Sequence, residues 1–201
     1  IRYRDEEPLA PETVAEVARR LFAQTGLPIL IEPGRFLVGN AGILLTRCLY
    51  CKHSGGREFT VVDAGLSDLM RPSLYGAYHE IVLVKRSGTP NPAGPIPGAS
   101  HGVGARVDIV GPLCESGDFL GLDRAVEGVA PGALLAVLDA GAYGFSMTSN
   151  YNSRPRPAEV MVYGDRWVTV RERERNEDMV RGERTLDEIE GVATWMETER
   201  P

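Results

Sequence analysis

Glu32 and Arg35 end the stretch of the chain best suited to chemistry. In Pro28-Ile29-Leu30-Ile31-Glu32-Pro33-Gly34-Arg35 an apolar run stops in an acid, a proline, a glycine and an arginine. An acid and a guanidinium at the mouth of an apolar strand can hold an ionic ligand, and Gly34 lets the backbone come close to one. Ile29 to Glu32 shows no alternation, which suits a strand covered on both faces as in a parallel sheet, and Pro33 stops its ladder. In α/β barrels the C-terminal strand ends carry the site. A surface turn of the same composition is the competing reading.

A second candidate is Cys48-Leu49-Tyr50-Cys51-Lys52-His53, which has the look of a metal or redox motif. No further Cys/His pair follows at a useful spacing, so no metal site is expected. In an extended strand, residues three apart face opposite sides, so the two thiols are expected to diverge. Three cysteines in all are too few for a secreted disulfide scaffold, and reduced thiols are expected.

The whole chain bounds the answer further. It has 201 residues, of which 43% are hydrophobic and 25% charged, enough for one full core. The net charge of −6 disfavours a nucleic acid or an anionic membrane as partner. No apolar run approaches a bilayer span and nothing at the start resembles a signal peptide, so a cytoplasmic location is the default expectation.

Behind these residues stand the elements that must position them. Pro11 near a first turn, apolar Val14, Val17, Ala18, Leu21 and Phe22, and Gly26 as a stop predict a helix leading into the Ile29 strand, one αβ step of a barrel. One step cannot close a barrel, which needs eight, so a missing N-terminal barrel portion is inferred. From Val38 the pattern turns to β: Leu44 to Lys52 and Glu58 to Asp63 around Ser54-Gly55-Gly56, then Glu80 to Val84, Ala105 to Val110 and Leu134 to Leu138. Leu69 to His79 reads as a loop or short helix, and Ser87 to Gly104 as a Pro/Gly-rich excursion. Glu159 to Tyr163 and Trp167 to Arg171 form a further hairpin. The charged run 171–175 reads as a solvated face, and Leu186 to Thr198 as an acidic, helical tail. The fold class expected is a mainly β C-terminal domain, an antiparallel barrel or sandwich, preceded by the last helix–strand piece of a TIM-type α/β barrel. The domain limits are 1–38 for the barrel remnant, 39–183 for the β domain and 184–201 for the tail.

Four segments, in order, resemble one enzyme family: Glu32-Pro33-Gly34-Arg35; Val62-Asp63-Ala64-Gly65 with Met70-Arg71-Pro72-Ser73-Leu74-Tyr75-Gly76-Ala77-Tyr78-His79; Gly111-Pro112-Leu113-Cys114-Glu115-Ser116-Gly117-Asp118; and Asp139-Ala140-Gly141-Ala142-Tyr143-Gly144. They are similar to the barrel-type pyridoxal-phosphate decarboxylases, most closely the diaminopimelate branch. The resemblance spans Ile1 to about Pro157.

It implies pyridoxal 5′-phosphate as cofactor and the conversion of meso-2,6-diaminopimelate to L-lysine and carbon dioxide, the last step of lysine biosynthesis. Glu32 would sit beside the cofactor ring nitrogen and keep it protonated, or else form a structural ion pair. Pro33, Gly34, Arg35 and Tyr143 would bind the cofactor and its phosphate, Tyr143 being otherwise a core aromatic. Arg35, Arg71, Tyr75 and Tyr143 would contact the small amino-acid substrate, and Glu115 would read its distal amino group. Cys114 would be the acid that protonates carbon after carbon dioxide leaves, since a thiol with a pKa of roughly 8.5 is a donor near neutral pH; a small buried hydrophobe is the alternative.

The Cys114–Glu115 pair of the family reaches a site built mainly by the other subunit, so a homodimer is implied. The family's Schiff-base lysine lies upstream of these motifs. Lys52 and Lys85 both fall in the β region, so the isolated chain is expected to be inactive. The competing functions are a relative acting on ornithine, arginine or carboxynorspermidine, and a non-catalytic homologue acting as a dimerisation or regulatory module.

Overall fold

The computed structural model describes residues 1, 4, 6–84 and 106–189. The described chain divides into two compact units, residues 1–152 and 153–201.

The first unit opens with α1 (Pro11–Thr25), which starts on a proline and stops where Gly26 takes a left-handed φ of +66°. Its apolar stripe is in place but unburied: Val14, Val17, Leu21 and Phe22 are all exposed. The expected strand over Ile29–Glu32 does not form. Prolines at 28 and 33 each remove a ladder donor, and no described strand lies beside the segment to pair with it, so it stays extended and Leu30 is 91% exposed. The barrel piece is thus a helix with an unpaired extended run. At Gly34 the chain turns instead into a short helix, α2 (Gly34–Val38), continued by a 3₁₀ turn at Gly39–Ala41.

The β region matches its pattern closely. β1 (Leu44–Ser54), β2 (Arg57–Val62), β3 (Ile81–Leu83), β4 (Val107–Val110), β5 (Phe119–Arg124) and β6 (Leu134–Val137) form one mixed sheet in the order β3-β6-β1-β2-β4-β5. Four of its five ladders are antiparallel and the β2–β4 ladder is parallel. A parallel neighbour requires a long crossover, and α3 (Arg71–Tyr75) lies in that connection. The β1–β2 turn places both Gly55 (φ +58°) and Gly56 (φ +75°) at positive φ, as a two-residue hairpin loop of mirror-image type demands. β5 was not legible because Gly121 interrupts it. A Cβ there would come 2.5 Å from the Arg124 side chain and 3.0 Å from Ile81, so the strand needs that gap. The expected excursion over Ser87 to Gly104, and Lys85 before it, lie outside the described residues.

The core sits on one face of this sheet, where Cys48, Val62, Ile109, Leu120, Leu135 and Val137 are buried together. The two thiols do not diverge as expected. A bulge between Cys48 and Tyr50 in β1 adds one residue and returns Cys51 to the face of Cys48, with the sulfurs 3.8 Å apart. Their contact and burial push the Cys48 thiol up, so it stays protonated. No group of three or more metal-ligating side chains forms among the described residues.

The second unit is a hairpin of β7 (Glu159–Tyr163) and β8 (Arg166–Arg171), turning at Gly164 (φ +61°), followed by α4 (Asn176–Met179). Part of the charged run is paired rather than simply solvated: Arg171 donates to Glu159 at 2.6 Å, and the Arg156 N–H donates to Glu174 at 2.8 Å. Of the acidic tail, Leu186–Glu188 is a 3₁₀ turn capped reciprocally by Thr185 and Glu188, and the residues from 190 onward lie outside the described ones. No described helix is long and apolar enough to cross a membrane.

Candidate active site

Three turns of the first unit are tied together by side chains and by glycines that allow close approach. The first follows β2. Asp63 accepts the Thr46 hydroxyl at 2.7 Å and the Arg47 N–H at 2.8 Å, and the Thr46 hydroxyl in turn accepts the Ala64 N–H. Asp68 accepts the Gly65 N–H at 2.8 Å. This closed turn delivers α3, in which Pro72 lies in the first turn and Gly76 (φ +60°) ends the helix. Arg71, at its start, is only 7% exposed, whereas Tyr75 is exposed.

The second turn, 111–118, is held to the first by Asp118. Its buried carboxylate accepts the Leu66 N–H at 2.7 Å and the Leu113 N–H at 2.6 Å, one oxygen for each loop. Gly65 and Gly111 leave the room for it. Cys114 and Glu115 ride on this loop, both exposed. Glu115 accepts the Gly117 N–H and the Tyr151 hydroxyl, which together hold its carboxyl below the usual range.

The third turn, 139–144, leaves β6. Asp139 and Tyr143 both adopt left-handed backbone at φ +57°, which Asp visits more readily than most residues and Tyr only uncommonly. The turn packs against the segment after α2, where Ala140 donates to the Gly42 carbonyl at 2.8 Å and Gly141 to the Gly39 carbonyl at 2.9 Å. Gly42 and Gly141 meet back to back, and a Cβ on Gly42 would come 2.6 Å from the Gly141 Cα. That contact brings Arg35 of α2 beside Tyr143.

The outcome is a cleft of about 590 Å³ lined by Arg35, Arg71, Tyr75 and Tyr143, with Tyr78, Met147 and the charged side chains of Arg4 and Glu6 also at its wall. The two guanidinium carbons stand 5.5 Å (Arg35) and 5.6 Å (Arg71) from the centre of the Tyr143 ring. Among the described residues no carboxylate forms an ion pair with either. Two planar cations beside a phenol, without a carboxylate ion pair among the described residues, make a site for anionic oxygens such as carboxylate or phosphate.

Four of the residues expected from the sequence are therefore brought together. Glu32, Pro33 and Gly34 are exposed on the approach to α2 and do not line the cleft, nor do Cys114 and Glu115. Sequence reasoning missed Asp118, Gly42 and Met147. Asp118 closes the third quoted motif, whereas Gly42 lies outside all four, and their signal was a small or acidic residue at a turn.

The glycines give a paired prediction. Gly141→Ala drives a methyl group into the Val38 carbonyl and Gly42, and is expected to destabilise the fold by about 2 kcal/mol while parting Arg35 from Tyr143. Gly34→Ala meets nothing within 4 Å and is expected to leave the urea midpoint unchanged, so any loss of ligand affinity it causes reports ligand approach. Urea titration of both variants checks this.

A mixed β domain whose cleft turns the guanidinium groups of Arg35 and Arg71 to one phenol ring is suited, as a class, to bind a small anionic cofactor or substrate. The comparisons with known proteins specify it. The profile of the pyridoxal-dependent decarboxylase C-terminal sheet domain matches residues 14–141, and the chain belongs to that family. It is 46% identical over 187 residues to the diaminopimelate decarboxylase of Pseudomonas aeruginosa, covering 92% of this chain and 41% of that one. To the diaminopimelate decarboxylase of Aquifex aeolicus it is 44% identical over 182 residues, covering 90% of this chain and 40% of that one. The crystal structure of diaminopimelate decarboxylase from M. jannaschii in co-complex with L-lysine superposes with a TM-score of 0.78 at 33% identity, over 93% of this chain and 41% of that chain. The chain thus spans about two fifths of the length of these relatives.

Proposed function

We propose that this chain is the C-terminal part of a pyridoxal-phosphate-dependent decarboxylase that converts meso-2,6-diaminopimelate to L-lysine and carbon dioxide in the cytoplasm. The observation that carries this reading is the Tyr143 ring flanked by Arg35 and Arg71 in one cleft. The donor set fits the cofactor: the cleft presents the guanidinium groups of Arg4, Arg35 and Arg71 and phenol donors against a single carboxylate, Glu6, a cationic excess that a phosphate requires. Bound there, pyridoxal phosphate would supply the electron sink that lets carbon dioxide leave the substrate.

The residues of this chain have the following parts. Arg35 and Tyr143, with the Gly34 N–H, would hold the cofactor phosphate, and Pro33 would shape the turn that presents them. Glu32 would be the acid beside the ring nitrogen, keeping it protonated. Arg71, with Tyr75 and Arg35, grips substrate carboxylates. Cys114 delivers the proton to carbon, and Glu115 pairs with the distal amino group.

Cys114 and Glu115 do not line the cleft of their own chain, which favours a homodimer in which they complete the partner's site. The exposed stripe of α1 and the unpaired run after it favour a covering barrel domain, with residues 1–38 as its end, 39–183 as the β domain and 184–201 as a tail. Lys52 lies exposed in β1, its ammonium over the Phe59 ring, and is not the cofactor-anchoring lysine.

The test is Glu115→Ala in the full-length enzyme. Activity on meso-diaminopimelate is expected to fall on the order of 10³-fold, because the distal ammonium loses its partner in a desolvated site. Unchanged discrimination among diaminopimelate stereoisomers would contradict the assignment.

A further inference from the structure

An imidazole holds Arg71 from behind. His79 is 1% exposed, four residues beyond the end of α3. Its Nδ1 lies 2.8 Å from the Leu138 carbonyl oxygen. A carbonyl only accepts, so Nδ1 carries the proton and Nε2 keeps its lone pair. That lone pair accepts the Arg71 Nε–H at 3.4 Å. Leu138 directly precedes the 139–144 turn that carries Tyr143. One ring therefore links the two segments that form opposite parts of the cleft.

We propose that His79 is a positioning residue for the substrate: as the neutral Nδ1–H tautomer it fixes Arg71 through Nε and leaves both terminal guanidinium nitrogens for a carboxylate. The inference rests on the reading above that Arg71 binds substrate. Protonation at Nε2 would turn the acceptor into a donor facing another donor and set two cations against each other.

The charged groups facing the ring are Arg71, Arg124 and Asp139. Burial first, then the two arginines, lower its pKa against the opposing pull of Leu138 and Asp139, so the ring stays neutral at neutral pH. The sign follows. Below the ordinary imidazole value the unfolded chain takes up a proton that the folded chain refuses, so stability falls with pH until His79 itself titrates. At that point Arg71 is released, and substrate affinity falls with it.

Two measurements test this. Long-range ¹H–¹⁵N spectra of the unaltered chain, which need no variant to fold, should show His79 as the Nδ1–H tautomer, protonating below the ordinary imidazole value. An Nε2–H tautomer, or protonation at or above the ordinary imidazole value, would overturn the proposal.

In the full-length enzyme, His79→Asn can still reach Leu138 but not Arg71, whereas His79→Gln places an amide oxygen where Nε2 was. His79→Asn should raise KM about tenfold with kcat changed less than about twofold. His79→Gln should restore KM to within about threefold and remove the acid limb of kcat/KM. Equal losses in both variants, or effects of His79→Asn and Arg71→Lys that simply multiply, would overturn the role. Failure of the wild-type enzyme to decarboxylate meso-diaminopimelate would sink the functional reading and the role together, whereas an Nε2–H tautomer in an active enzyme sinks the role alone.

Discussion

Arg71→Lys in the full-length enzyme is expected to raise KM for meso-diaminopimelate on the order of 100-fold, with kcat within about threefold. The charge is kept, so the loss isolates geometry. Arg71 is nearly buried, accepted by His79 on one side and facing Tyr143 on the other. Its planar fork can present two parallel N–H groups to a carboxylate, where an ammonium offers a single point charge. Losing one charge-assisted hydrogen bond of about 2–3 kcal/mol accounts for the size of the effect. Steady-state kinetics checks it, and a fall in kcat at constant KM would place Arg71 in the chemical step instead.

Cys114→Ala is expected to lower kcat by about 10²–10³ with little change in KM, the scale of a lost general acid. The same variant tests the partner. If Cys114 serves the opposite subunit, Cys114→Ala and Arg71→Met each disable both sites of a homodimer, yet a mixed dimer keeps one intact site. Refolding equal amounts together should then return about a quarter of wild-type activity, since half of the dimers are mixed and each has one of two sites. No recovery on mixing would mean that Cys114 acts within its own chain or not at all.

Much of this site could be read before the fold was known, because its residues lie at turns punctuated by Gly, Pro and Asp. The Ser54-Gly55-Gly56 turn, the α3 bend at Pro72 and the hairpin at Gly164 all follow from local backbone chemistry. What could not be read depends on partners distant in sequence. Ile29–Glu32 has the composition of a buried strand, but a strand exists only where another supplies its ladder, and none of the described strands does. The Cys48–Cys51 approach depends on a bulge that alternation does not announce. The parallel β2–β4 ladder depends on a crossover rather than a turn. The meeting of Arg35 with Tyr143 depends on two glycines about a hundred residues apart, and the support of Arg71 on a histidine whose tautomer is set by a carbonyl at the end of β6.

The most direct test of the account is carbon dioxide release from meso-diaminopimelate, with ornithine as control, by the purified 201-residue chain and by the full-length enzyme, each with pyridoxal phosphate. The account predicts stoichiometric carbon dioxide and L-lysine from the full-length enzyme, little from ornithine, and none from the 201-residue chain. Release from the pure chain, or a full-length enzyme that prefers ornithine, would contradict it.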